Sequence, residues 1–327
     1  MDFGERCQGQ ILMKNTKSDN NKAKPFLKWA GGKRQIIDEL ESFLPMEFRS
    51  SRRICNYVEP FVGGGAFFFY LQSFYEISKS LIIDVNPELF IAYSTVKNDP
   101  ESLIRLLSSY QEEYYILEAG KREIYYYEIR NNYNHSGKAF DYSNDNNRWI
   151  ERVAQLIFLN RTCFNGLFRQ NSKGEFNVPY GNYKNPTICN AENILECSKA
   201  LKNTDILQGD FSISKKFIDT NTLVYLDPPY RPINKTSSFT SYSKDGFNDT
   251  DQKRLAEFYK EMSSIGTYLL LSNSDPKNEN PKDSFFEDIY HEFNIVRISA
   301  SRMINCIGAK RGEVKELIIT NYPKGEL

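Results

Sequence analysis

The residues best suited to chemistry are Asp227-Pro228-Pro229-Tyr230, which follow the apolar run Leu223-Val224-Tyr225-Leu226. A buried strand of that kind delivers its last residues to the carboxyl edge of a parallel sheet, where open α/β proteins build their sites. Two successive prolines fix φ at about −65° and remove two N–H donors, leaving a rigid turn with carbonyl acceptors. An aspartate and a proline carbonyl held side by side can accept both hydrogens of an amino group, and an adjacent tyrosine can stack on a planar ring. The plainer alternative is a stiff strand-exit turn.

Two more segments have the same strand-then-turn character. Val58-Glu59-Pro60-Phe61-Val62-Gly63-Gly64-Gly65-Ala66 ends a strand in three glycines, which let the backbone approach a ligand or take positive φ. It lacks the GxGxxG spacing, which argues against a nicotinamide enzyme. Asp84 closes the next apolar run about 20 positions later, where α/β nucleotide sites hold ribose hydroxyls. Capping the following helix is the competing reading. Upstream, Phe26-Leu27-Lys28-Trp29-Ala30-Gly31-Gly32-Lys33 is basic and aromatic.

Positioning these residues requires a sheet. Runs at 54–59, 81–84, 206–208, 223–226, 268–272, 295–299 and 317–321 read as strands, several of them continuously apolar as in a parallel sheet buried on both faces. A helix is predicted from Asp249 to Met262, with Asp249 as cap and Gln252 three residues on. About 120 residues separate the second strand from the third, whereas a βα unit needs about 30, so a separate module fills the gap. It reads as helical over 87–117, a polar Asn/Tyr-rich loop over 131–147, a helix over 148–159, and a hairpin or irregular β segment over 164–183.

Composition bounds the function. With 327 residues, 40% hydrophobic and 26% charged, the chain fits one large α/β domain carrying an insert. No apolar run reaches eighteen residues, and the polar N-terminus lacks the core of a secretory signal, so a cytoplasmic protein is expected. Six scattered cysteines without a CxxC pair and only two histidines give no metal site, disulfide framework or histidine-based mechanism. The 42 basic and 42 acidic residues cancel, a mild argument against nucleic-acid binding. Their distribution is less neutral: Arg161, Arg169, Lys173 and Lys184 face only Glu175 between 161 and 184, and Lys22, Lys24, Lys28, Lys33 and Arg34 enclose no acid. Such runs are more often solvated faces than binding sites.

Taken in order, these segments resemble the Dam-type DNA adenine methyltransferases of bacteria and phages, from about Pro25 to Tyr322. The likeness includes Leu159-Asn160-Arg161, Phe164-Asn165-Gly166-Leu167, the stretch 174–181, Gly209-Asp210-Phe211 and Leu271-Ser272-Asn273-Ser274. The segment 236–247 is similar to the restriction–modification branch, while the leader and the Tyr/Asn-rich stretch 110–147 depart from the family pattern.

The resemblance implies a Rossmann-like methyltransferase sheet of about seven strands, with a mostly helical target-recognition domain inserted at 87–189. The catalytic domain comprises 25–86 and 190–327, after a flexible leader at 1–24. It implies S-adenosylmethionine as cofactor, contacted by Trp29, Lys33, Phe61, Gly63, Gly65, Asp84, Asp210, Phe211 and Asp227, with Asp227, Pro228 and Tyr230 catalytic. Double-stranded DNA is the implied substrate and GATC the implied target, with a cognate restriction endonuclease acting on the same site. Lys28 takes the place of a lysine on the first guanine, and Asn165 sits near the space left by a flipped base. Leu167 and Arg169 match readers of the third and fourth base pairs, and Pro179 a proline on the thymine methyl. Arg161, Lys173, Tyr183 and Lys184 complete the implied DNA contacts. Cytosine-N4 methylation uses similar geometry, but its motif usually begins with Ser. Cytosine-C5 methylation needs a cysteine, commonly after proline, and no Pro-Cys dipeptide occurs. A non-catalytic DNA-binding protein has no use for so complete a cofactor pocket.

Overall fold

The computed structural model describes residues 22–324 apart from 30, 34, 145–146, 232–246 and 302–312. Most of the leader, Ala30, Arg34 and the segment 236–246 therefore lie outside the described residues.

Two short helices, α1 (Ile37–Ser42) and α2 (Met46–Ser51), precede β1 (Arg53–Glu59), α3 (Ala66–Phe74) and β2 (Glu76–Asp84). The insert follows as α4 (Pro87–Asn98), α5 (Pro100–Ile116), α6 (Ala119–Gly137) and α7 (Asn147–Thr162). After an extended loop come α8 (Ala191–Ala200), β3 (Thr204–Gln208), β4 (Thr222–Leu226), α9 (Asp249–Ser264), β5 (Tyr268–Ser274), α10 (Phe285–Ile289), β6 (Asn294–Ser301) and β7 (Glu313–Thr320).

The seven strands form one sheet in the order β3-β2-β1-β4-β5-β7-β6. β3 to β5 pair in parallel, and β7 runs antiparallel between β5 and β6. All seven strands expected from the sequence are present. β1 has β2 on one side and β4 on the other, with Val58 in register with both Leu81 and Val224. The strand order therefore reverses at β1, and the crevice at such a reversal is where a doubly wound sheet binds ligands. The turns after β1 and β4 both open into it.

The insert departs from the sequence reading in instructive ways. Its first helical run is two helices, because Pro100 cannot donate an amide and crowds the preceding turn. Asn86 and Asp99 cap the two helices, accepting from the amides of Glu88 and Ser102 with proline at N1 in each. The supposed polar loop is helical through Gly137. There Tyr125, Tyr126, Ile129 and Tyr133 share one buried face at spacings of three, four and seven. The almost wholly buried α7 runs through the middle, and the Phe158 ring meets Tyr110, Tyr114 and Tyr125 edge-on at 5.4–6.1 Å. α4 packs on β2, β3 and α8 as well as on α7, so insert and sheet share one continuous core. The expected hairpin pairs only at Cys163 with Tyr180 and Gln170 with Phe176. Among the described residues no helix is long and apolar enough to cross a membrane.

Candidate active site and recognition loop

β4 ends in Leu226, and the rigid turn beyond it sets Asp227 against three other elements. The Lys33 ammonium lies 3.1 Å from Asp227 Oδ1, 2.8 Å from Tyr230 Oη and 3.2 Å from Glu316 Oε2. Tyr230 Oη in turn donates to Glu316 Oε1 at 2.7 Å, and the ammonium sits 4.6 Å from the Tyr230 ring centroid. Lys33 is only 5% exposed, so its three donors are all spent within the cluster. From β5, the Ser272 hydroxyl donates to Asp227 Oδ1 at 3.3 Å. Because that hydroxyl has one proton, Tyr225 is the donor in its 2.8 Å bond to Ser272.

Both Lys33 and Ser272 bond Oδ1, so among the described residues Asp227 Oδ2 carries no hydrogen bond. The two proline carbonyls are also unequal. The Gln252 side chain donates to Pro229 O at 3.1 Å, whereas among the described residues nothing donates to Pro228 O. Gln252 therefore braces the turn rather than completing the cap of α9. That cap is Asn248 with Asp251, one residue earlier than the sequence suggests. Burial raises the Asp227 pKa to about 6 against the lowering effect of Lys33. Burial would lower that of Lys33, but Asp227, Tyr230 and Glu316 hold it well above the ordinary lysine value.

Across the crevice the glycine turn rests on Asp84. The Gly63 amide donates to Asp84 Oδ2 at 3.0 Å and the Asn86 amide to Oδ1 at 2.9 Å, while burial raises the Asp84 pKa to about 6. Gly65 has φ 69° and a Cβ there would lie 2.5 Å from Tyr93 Oη, so glycine is required. Glu59, at the end of β1 between Asp84 and Asp227, accepts from Tyr57 Oη at 2.6 Å and has its pKa raised well above the carboxylate range by burial. Phe61 lies 5.6 Å from Phe211 and from Phe247. Asp210 stands apart: Arg254 grips both its oxygens at 2.7 and 2.8 Å and stacks on Phe211, and against burial these bonds lower its pKa to about 2.

Trp29 joins this site to the insert. It packs on the glycine turn, where a Gly63 Cβ would come within 3.2 Å of its ring, and stacks on Phe168 at 4.7 Å and 22°. Asn160 clamps the same junction, accepting from the Lys28 amide and donating to the carbonyls of Lys28 and Gly166 at 2.8–3.1 Å. Gly166 takes φ 65° against the Lys28 stem, which brings Lys28 to the loop. Arg161 is drawn inward, its guanidinium donating to Phe26 O at 2.7 Å. Phe164, Asn165, Leu167 and Arg169 are exposed, while Gly166 and Phe168 between them are buried. Pro179, Lys173 and Lys184 are exposed too, and Tyr183 Oη accepts from the Asn165 amide at 3.1 Å. Arg169 Nε donates to Asn177 at 2.8 Å.

The loop is held from behind by the aromatic stretch that sequence reading left without a role. Tyr114 Oη meets Tyr180 Oη at 2.7 Å and donates to Tyr183 O at 2.8 Å. Tyr126 donates to Val178 O at 2.7 Å, and Asn134 exchanges two bonds with the Phe176 backbone at 2.8 and 3.0 Å. Glu316 is the other residue missed. Its signal was an acid opening the apolar run Leu317-Ile318-Ile319.

Over residues 29–304 the sequence matches the D12 class N6 adenine-specific DNA methyltransferases. It is 50% identical over 300 residues to Type II methyltransferase M.MjaIII of Methanocaldococcus jannaschii, covering 91% of this chain and 99% of that protein. Type II methyltransferase M1.LlaDCHI of Lactococcus lactis is 38% identical over 301 residues, covering 91% and 95%. The DNA adenine methylase of Haemophilus influenzae is 34% identical over 298 residues, covering 91% and 93%. The chain belongs to the D12 class family and is an adenine-specific DNA methyltransferase.

Proposed function

We propose that the protein uses S-adenosylmethionine to methylate N6 of the adenine in GATC within double-stranded DNA, flipping that adenine out of the helix. In this reading it acts in the cytoplasm and protects DNA from an endonuclease that cuts the same site. The observation that carries the proposal is a pair of acceptors, Asp227 Oδ2 and Pro228 O, that no described residue occupies, on one rigid turn.

The strand-edge residues fit the cofactor. Asp84 is anchored at the strand edge by the Gly63 and Asn86 amides, which fixes its carboxylate where a ribose hydroxyl would donate to it. Burial raises the pKa of Glu59, Asp84 and Asp227, so a cation among them favours their ionised forms and they favour it. When bound, S-adenosylmethionine supplies a methyl group on a positively charged sulfur. Trp29, Phe61, Gly63, Gly65, Asp84, Asp210 and Phe211 hold it in this reading, with Asp210 sharing its carboxylate with Arg254. Lys33, implied as a cofactor contact, serves through its committed place beside Asp227.

The N6 lone pair of adenine is delocalised into the ring, which makes the amine a poor nucleophile. Asp227 Oδ2 and Pro228 O accept hydrogen bonds from its two N–H groups, draw the nitrogen toward sp³ geometry and aim the lone pair at the methyl group, and the one proton the methylated nitrogen sheds passes to Asp227 or to water. The remaining contribution is positioning and electrostatics. Extruding the base costs a few kcal/mol, and the Tyr230 face offsets part of it by stacking.

Residues 87–189 form the recognition unit and 25–86 with 190–327 the catalytic one. Lys28 reads the first guanine, Leu167 and Arg169 the third and fourth base pairs, and Pro179 the thymine methyl, while Asn165 fills the space left by the adenine. Arginine's planar fork suits guanine O6 and N7. Lys173, Tyr183 and Lys184 face the backbone, and Arg161 supports them through its bond to Phe26. The test is plasmid DNA incubated with enzyme and cofactor, then cut by nucleases that require methylated or unmethylated GATC. Protection confined to GATC is expected; unmodified GATC with another adenine site labelled overturns the assignment.

A further inference from the structure

Glu316 belongs to β7, the antiparallel strand, and pairs in register with Ser274 of β5. It is 283 residues from Lys33 and 86 from Tyr230, yet it is the meeting point of both. One oxygen receives the Lys33 ammonium and the other the Tyr230 hydroxyl, and the side chain is buried. Asp227 alone would neutralise Lys33, so the second carboxylate is not needed for charge balance. It is expensive to bury unless it orders something.

What it orders is visible in the connections. Tyr230 follows a stiff turn, but the residue is 41% exposed and is fixed at its hydroxyl by Glu316 and Lys33 together. Lys33, drawn toward both Glu316 and Tyr230, meets Asp227 at Oδ1, and no described residue donates a hydrogen bond to Oδ2, which is left to an incoming amine. We propose that Glu316 is a positioning residue for methyl transfer, setting the Tyr230 ring and the Lys33 ammonium so that the acceptor face of Asp227 stays open and correctly turned. The inference rests on the reading of Asp227 as the acceptor for adenine N6.

Among the described residues, the charged and titratable groups facing Asp227 are Lys33 before α1, Tyr57 and Glu59 on β1, Tyr225 on β4, Tyr230 on its own turn and Glu316 on β7. Since the acceptor must be ionised, activity falls as pH drops through the Asp227 pKa, about 6. Glu316 pushes that value up, so removing its charge moves the acid limb to lower pH.

The experiment measures single-turnover methylation of a duplex oligonucleotide against pH for the wild type, Glu316→Gln, Tyr230→Phe and Asp227→Asn. Cofactor binding by calorimetry serves as the check on folding. Glu316→Gln should bind S-adenosylmethionine within about twofold of wild type, lose about tenfold in rate at pH 7.5 and shift its acid limb downward, a rate loss of the size expected when one positioning contact in a transition state is removed. Tyr230→Phe, which cuts the same bond from the other end, should lose rate in like measure and serves in place of Glu316→Gln if that variant does not fold. A Glu316→Gln profile superimposable on wild type in rate and pH, or a fall in rate with no movement of the limb, overturns the proposal. Asp227→Asn separates the two readings: full activity in that variant removes the acceptor role itself, whereas an inactive Asp227→Asn beside an unaltered Glu316→Gln leaves that role standing and removes only this inference.

Discussion

At the carboxyl edge of the sheet, side chains hold side chains: Lys33 binds Asp227, Tyr230 and Glu316, and Ser272 reinforces Asp227. Along the recognition loop, side chains from the helices hold backbone instead. Tyr114, Tyr126, Asn134 and Asn160 take up the main chain of 166–183, and Phe164, Asn165 and Leu167 project outward. A network of mutually committed side chains fixes a reaction geometry to fractions of an ångström, and any substitution there is felt by the rest. A loop fixed through its backbone presents its side chains as separable readers, so its residues can change one at a time. Damage at the first region should therefore appear in rate, and damage at the second in which sequence is methylated.

The largest effect expected is that of Asp227→Ala. It removes the acceptor that acts in the transition state and should lower the single-turnover rate by ~10² or more with cofactor binding retained. Near-wild-type turnover would show that the rigid turn is structural only.

Tyr230 tests the join between the two regions from the catalytic side. Tyr230→Ala should weaken capture of the extruded base by ~1–3 kcal/mol, read from a fluorescent base analogue at the target position. Tyr230→Phe keeps the ring and should flip nearly as well while turning over more slowly, because its bonds to Glu316 and Lys33 are gone. Equal flipping by all three proteins would remove stacking from the account.

On the recognition side, Arg169→Ala should cost ~1–3 kcal/mol of discrimination at one end of the site while leaving the rate on other sequences intact. A uniform loss on every sequence would place Arg169 with the backbone contacts. The smallest effect is that of Lys173→Ala. Lying exposed at the loop tip, it should weaken binding to all sequences alike and reduce the slope of log affinity against log salt by about one. An unchanged slope would take Lys173 off the DNA.

What the sequence made legible follows the same division. The five parallel strands and the two antiparallel ones each carry an apolar run, so all seven could be read. The start of β2 was missed because Glu76 and Lys79 lie at its exposed margin. The Asp-Pro-Pro-Tyr turn and the glycine turn carry their geometry in their own residues. Glu316 and Asn160 were not readable as site residues, because their partners lie 283 and 132 positions away, and neither an acid opening an apolar run nor a place in a shared motif says what the side chain meets. The end of α6, read as part of a polar loop, misled for another reason. Tyrosine is apolar in its ring and polar at its tip, so a helix that buries the one to hold a loop with the other looks, in sequence, like a polar loop.

The most direct measurement is a map at single-base resolution of methylated adenines on one plasmid treated with wild type, Asp227→Ala and Arg169→Ala. The account predicts wild-type marks at GATC, sparse marks at those same positions with Asp227→Ala, and marks spreading to sites that differ at the end read by Arg169 with Arg169→Ala. Asp227→Ala marks that move to new sequences, or Arg169→Ala marks that thin out everywhere without spreading, would contradict the separation of rate from recognition on which the account rests.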